Sequence, residues 1–358
     1  MNRLNVVFLK YYKNLFLSLL LIGFNGISNA QDIQFSQFYS VTPYINPAFV
    51  GAKHATRAIV HLRDQWPGIA AKYETGLVSV DHFFDKYNSG IGVMVTQDQQ
   101  GLNDIHSTKV DLQYSYELTV SKKFTMRGGL QVGYGNQAIN YSNLTLASQI
   151  DPVTGQSNGS TGITGAVNQK GYVDVGAGFL GYTDRLWVSA AFAHINEPRL
   201  VYYSTDNAVS LPLKTTVSTG YKIPLKSSGH MAYLHEEDNI FLTPAANFKA
   251  QQSNSQLDIG CYLTYNQLMV GAWYRGMEFK RYAPNIYNSE SAVASIGWLF
   301  NNWSVTYSYD ITVSTLTRAG TGGSHELNIT YVHNKVNKKS KVRKRLPCPD
   351  FYHTNKHH

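Results

Sequence analysis

Hydrophobic and polar residues alternate along most of this chain with a period of two, the spacing that a strand and not a helix imposes. The pattern is clearest from Trp303 to Val332: Trp303, Val305, Tyr307 and Tyr309 fall on one side of a strand, and Ser304, Thr306, Ser308 and Asp310 on the other. A Gly-rich connection follows, after which Leu327, Ile329 and Tyr331 oppose Glu326, Asn328 and Thr330. Similar segments recur near 54–62, 73–82, 90–98, 107–118, 123–135, 172–182, 185–194, 214–224, 239–249, 255–264, 267–275, 291–300, 303–312 and 324–333. In one of them Val110, Leu112, Tyr114, Tyr116 and Leu118 stand opposite Asp111, Gln113, Ser115 and Glu117.

Such charged and amide side chains are costly in lipid but at home in a wet lumen. The pattern therefore predicts an all-β fold, an antiparallel transmembrane outer-membrane β-barrel of about 14 strands, with 12 as the alternative count. A periplasmic or secreted β-sandwich shares much of this composition, and the connections separate the two. If the first strand runs outward, the turns Thr183-Asp184, Tyr265-Asn266 and Asn301-Asn302 are short and lie on the periplasmic side. The opposite side carries the long connections 63–72, 136–171, 195–213, 276–290 and 313–323. The connections 226–238 and 251–254 depart from that asymmetry. An even strand count leaves both barrel termini periplasmic, and closure removes exposed strand edges. Glycines inside the strands, such as Gly128, Gly129, Gly176 and Gly178, suit tight curvature or the close packing of a plug.

The ends change the picture. Residues 1–30 place Arg3, Lys10 and Lys13 before an apolar run from Leu15 to Ile22, then Ser28, Asn29 and Ala30, which reads as a signal peptide. The run is short of the roughly 20 residues of a spanning helix, and Gln31 rather than Cys follows the expected cut. The formal charge of +8 lies in the ends: the signal peptide contributes three basic residues and the tail 335–358 a net +7, leaving the body near −2. The tail is most simply a solvated or membrane-surface segment, and no nucleic-acid partner is expected of an exported chain. Cys261 and Cys348 are the two cysteines; they form no disulfide scaffold or zinc site and are expected to be unpaired.

Between signal peptide and barrel, residues 31–53 form a periplasmic lead-in whose Pro43, Asn46 and Pro47 oppose a regular helix or central strand. It is expected to pack against the barrel mouth or to strap across the periplasmic opening, a plain linker being the simpler alternative. It contains Phe35-Ser36-Gln37, then Asn46-Pro47-Ala48, then Gly51. The first hairpin adds Arg63-Asp64-Gln65-Trp66-Pro67-Gly68, and the far end carries Tyr307-Ser308-Tyr309-Asp310 and Gly323-Ser324-His325-Glu326. These four motifs, in this order and bracketing nearly the whole mature chain, resemble the signature of the PorP/SprF family of the type IX secretion system of Bacteroidetes-type bacteria. The resemblance implies an outer-membrane barrel serving type IX secretion and gliding motility. It also implies partners: other type IX components, periplasmic ring or lipoprotein subunits, and a large secreted surface adhesin.

The remaining candidates are weaker. Ser324, His325 and Glu326 carry the groups of an acyl-transfer site, but adjacent strand residues point to opposite faces, so a structural role is favoured and no enzyme is expected. The loop from Asp151, DPVTGQSNGSTG, is rich in oxygen ligands yet lacks the spacing and terminal Glu of an EF-hand. Scattered histidines show no metal motif, and no cofactor is called for. In the tail, Arg343, Arg345, Pro347, Cys348, Pro349 and Phe351 form a basic, Pro-bounded segment expected to dock a periplasmic partner. The function expected is that of a non-enzymatic barrel supporting secretion or surface attachment of an adhesin; the alternative is an outer-membrane pore or small-solute transporter.

Overall fold

The computed structural model describes residues 32–101, 105–139, 170–201, 208–225, 240–252, 254–283, 286–313, 320–333 and 346. Its strands are β1 (Thr56–Gln65), β2 (Lys72–Phe84), β3 (Ser89–Gly101), β4 (Ile105–Thr119), β5 (Thr125–Ile139), β6 (Lys170–Tyr182) and β7 (Leu186–Ala193). A separate hairpin, β8 (Arg199–Val201) with β9 (Ala208–Ser210), precedes β10 (Lys214–Tyr221), and β11 (Ile223–Leu225) continues β10 in the same register. There follow β12 (Ile240–Gln251), β13 (Asn254–Tyr265), β14 (Leu268–Ala283), β15 (Ile286–Phe300), β16 (Trp303–Thr312) and β17 (Ser324–His333).

The antiparallel ladder closes on itself. β1 pairs with β17 from Thr56↔His333 to Gln65↔Ser324, and β10 pairs with both β7 and β12. Fourteen long strands thus form the barrel, with every expected strand present. Two expected loops differ: residues 276–290 are largely strand, because β14 and β15 run on past a register shift at Gly276, and the 195–213 connection holds the β8–β9 hairpin. The shift occurs where Gly276 has φ +154°, a conformation that glycine adopts freely. The calcium-like loop from Asp151, the signal peptide and the tail residues Arg343, Arg345, Pro347, Cys348, Pro349 and Phe351 lie outside the described residues.

Alternation assigns the two surfaces. Val60, Leu62, Val78, Val80, Val93, Leu112, Leu130, Trp303 and Val305 are exposed outward, as an apolar belt facing lipid requires. Arg57, His61, Arg63, Asp81, Asp111, Glu117, Ser308 and Glu326 are buried on the inner side. Asp310, on the polar face of its strand, also points inward and is buried, since the inward set of β16 continues through it. Cys261 is a free thiol.

Candidate functional site: a plug locked into the lumen

The inner side chains are buried because the chain fills its own barrel. The lead-in, expected as a strap or a segment at the mouth, runs through the lumen instead. Asp32 meets Lys214 and His194 at the end of the barrel opposite Thr56 and His333, and the segment descends to His54 beside Glu117 before entering β1. The physical reason is apolar: Phe38, Tyr39, Ala48 and Phe49 join Tyr182, Trp187, Tyr262, Met269 and Trp273 in one cluster, while Phe35 and Val41 join Ile59, Leu77 and Met94 in another. Left at the mouth, these side chains would stay in water, at a cost of about 1.5–3 kcal/mol for each large one. Tyr39 stacks on Trp273 with ring centroids 5.5 Å apart. Leu346 of the tail belongs to the first cluster, only 3% exposed, so this residue of the expected docking segment is committed to the barrel interior.

Polar anchors fix the segment at three levels. At the first, the Ser36 and Gln37 backbone N–H groups donate to the two oxygens of Glu326, at 2.6 and 2.9 Å. The Gln37 side-chain amide donates to Ser308 Oγ (3.1 Å) and to the Glu326 carbonyl (3.2 Å). Ser36 Oγ donates to Asp310 and accepts from Arg63 (2.8 Å) and Arg275 (2.7 Å). Arg63 pairs with Glu326 and Asp310; Arg275 pairs with Asp310 (3.2 Å) and Asp258 (2.9 Å). Two guanidinium groups and three carboxylates, all at most 4% exposed, close around one serine. Buried charges are tolerable only when paired in this way.

At the second level a helical turn, Thr42–Ile45, leads into a 3₁₀ turn, Pro47–Phe49, so the prolines sit at helix starts where no N–H is needed. Asn46 caps the 3₁₀ turn by accepting from the Ala48 N–H (2.8 Å), and its amide donates to the Phe179 and Ala190 carbonyls. Gly129 and Gly178 make this approach possible, because a Cβ on either would overlap Ala48 or Asn46. Arg127 donates to the carbonyls of Ala48 (3.0 Å) and Val50 (2.6 Å) and pairs with Glu117. Arg57 pairs with Asp81 (2.7 Å) and reaches Thr42 and Phe49, while Asp81 also accepts from the Gly51 N–H (2.7 Å).

The third level is Asp32, between Lys214 (3.0 Å) and His194 (2.7 Å), whose other ring nitrogen meets Asp174 (2.9 Å). Burial alone would raise the Asp32 carboxyl, but Lys214 and His194 outweigh it and hold it far below the usual range. Burial alone would lower His194; Asp32 and Asp174 outweigh that and push it up to about 9.

The motif residues therefore sort as follows. Phe35, Ser36, Gln37, Asn46, Pro47 and Ala48 belong to the buried plug, and Asp310 and Glu326 receive it. Gln65 accepts from Arg63. Trp66 packs edge-on against Tyr73, and its backbone N–H donates to the Gly323 carbonyl, joining the first hairpin to the last connection. Ser324 is buried inward, whereas His325 faces out and meets Tyr307 Oη at 2.7 Å with Tyr309 beside it, so the two never share a site. The sequence reading missed Arg275, Asp258, Arg127, Arg57 and Asp81. A usable signal was present: Ala58-Ile59-Val60, Leu77-Val78 and Val93-Met94-Val95 place apolar residues on the inner face, which a purely wet lumen would not require.

The fold and its filled lumen define a class: an outer-membrane β-barrel closed by its own N-terminal segment. The chain belongs to the PorP/SprF family of type IX secretion system membrane proteins, whose family model matches residues 27–331. No protein of curated function matches the sequence. Among solved structures, the Pseudomonas putida toluene transporter TodX is 11% identical, with 81% of this chain and 92% of that chain covered at a TM-score of 0.38. A Pseudomonas aeruginosa FadL homologue is 11% identical (82% and 94% covered, TM-score 0.41), and the KdgM porin 10% (78% and 99%, 0.34). These likenesses carry no inference about what this chain binds or passes.

Proposed function

We propose that the protein is a non-enzymatic component of the type IX machinery that supports secretion or surface attachment of a cognate adhesin, working as a plugged docking barrel and not as an open pore. Thr56 and His333 stand at the periplasmic end in this reading, where ring or lipoprotein subunits of the machinery are the partners. The long connections and the Asp32 end of the lead-in face outward, where the adhesin is held. The observation that carries the reading is the lead-in running through the lumen, most of its residues buried and its backbone and polar side chains held by wall residues at three levels. A small-solute transporter would need a continuous path along those same inner faces. The family supplies the secretion context. In cells lacking the gene, adhesin should be lost from the surface while unrelated outer-membrane proteins stay at normal levels. Normal adhesin display in such cells contradicts the proposal.

A further inference from the structure

The strands that lock the plug have an outward face as well, and we propose that this face docks a basic, amphipathic segment of a partner protein at the outer boundary of the membrane. This rests on the reading of the chain as a docking barrel with Thr56 and His333 at the periplasmic end. β1, β17 and β16 send Arg63, Glu326 and Asp310 inward; their neighbours Asp64, His325 and Tyr309 point the other way. The ladder aligns these in one row across five strands: Gln99 opposite Glu74, Glu74 opposite Asp64, Asp64 opposite His325, and His325 opposite Tyr309. The next row toward the membrane centre is Gln97, Gly76, Leu62, Leu327 and Tyr307. Gly76 lacks a side chain where its neighbours project, and the wall is hollowed there by about 510 Å³.

The hollow differs from the plain apolar belt in two ways. Asp64 and Glu74 are exposed and directly opposed, and neither forms an ion pair among the described residues. Opposed like charges destabilise a sheet, the more so beside a low-dielectric membrane, and a cation laid between them relieves the repulsion. Below them Leu62, Leu327 and Tyr307 flank an apolar notch, and the Tyr307–His325 hydrogen bond fixes the ring that divides the two rows. At about 4.8 Å per strand the strip is roughly 20 Å long. That suits an extended segment with Lys or Arg over the acids and an apolar side chain in the notch. Phosphate-bearing lipid headgroups have the wrong charge for this row. β17 ends at His333, at the other end of the barrel, and Leu346, the one described residue beyond it, is buried in the lumen cluster.

The test uses the full-length protein in nanodiscs of zwitterionic lipid and a synthetic peptide of alternating Lys and Leu, with the Glu–Leu peptide and empty nanodiscs as controls. Saturable, salt-sensitive binding of the Lys–Leu peptide is expected, weakened roughly tenfold by Asp64→Asn with Glu74→Gln, the scale of two part-exposed ion pairs. Gly76→Leu should weaken it similarly by filling the notch. That variant has room to fold, since an added Cβ meets nothing nearer than Leu62 at 3.8 Å. Equal binding by wild type and variants, or equal binding of the Glu–Leu peptide, overturns the proposal. So does binding seen only after anionic lipid is added. Failure of the secretion reading appears elsewhere, as normal adhesin display without the gene.

Discussion

Glu326 decides most at the scale of single residues, because one carboxylate caps two backbone N–H groups of the lead-in and pairs with Arg63. Removing one partner of a buried charge pair costs on the order of 3–5 kcal/mol, so Glu326→Ala should lower the urea midpoint of the barrel in detergent far more than Ser304→Ala on the neighbouring strand. If Arg63→Ala is added, the two losses should be less than additive, as expected of groups in one network. His194 gives the lock a pH dependence. Its folded value of about 9 lies above the ordinary 6.5, so its contribution is complete below about 6.5 and is lost as pH rises through 9. In a Cys261→Ser, Cys348→Ser background, Ile33→Cys should therefore gain reactivity toward a thiol reagent between pH 6.5 and pH 9 by more than thiol ionisation alone supplies, and His194→Gln should remove that excess. Sequence alone marked Ser36, Gln37, Asp310 and Glu326 as motif residues. It could not show that they are partners, since alternation fixes which face a residue takes and not what crosses the lumen to meet it.

Among the elements, the strands were legible to within a few residues because their two faces meet different solvents, except that β14 and β15 run on through most of 276–290, which was expected as a loop. The lead-in was not, because its short turns have no repeating period and its destination is set by tertiary packing. Pro43 and Pro47 argued correctly against a long helix, yet both start turns inside the barrel. The strand glycines gave a partial hint that the structure makes specific. Gly129→Val should displace the Pro47–Phe49 turn and destabilise the protein, whereas Gly128→Ala, where an added Cβ meets nothing within 4 Å, should change its melting temperature little. Equal effects of the two would mean that curvature, and not plug clearance, selects glycine on β5.

For the whole molecule, the plug completes the interior of the barrel: the inner apolar residues Ile59, Leu77, Met94, Trp187 and Trp273 share buried clusters with the lead-in. A barrel read from alternation alone has a wet lumen, and the apolar residues on the inner face were the signal that this one does not. The most direct test is electrical. Purified full-length protein in a planar bilayer should show no persistent conductance, while deletion of residues 32–49 should open stable channels in a barrel that still folds. A steady open pore in the intact protein, unchanged by that deletion, would contradict the account.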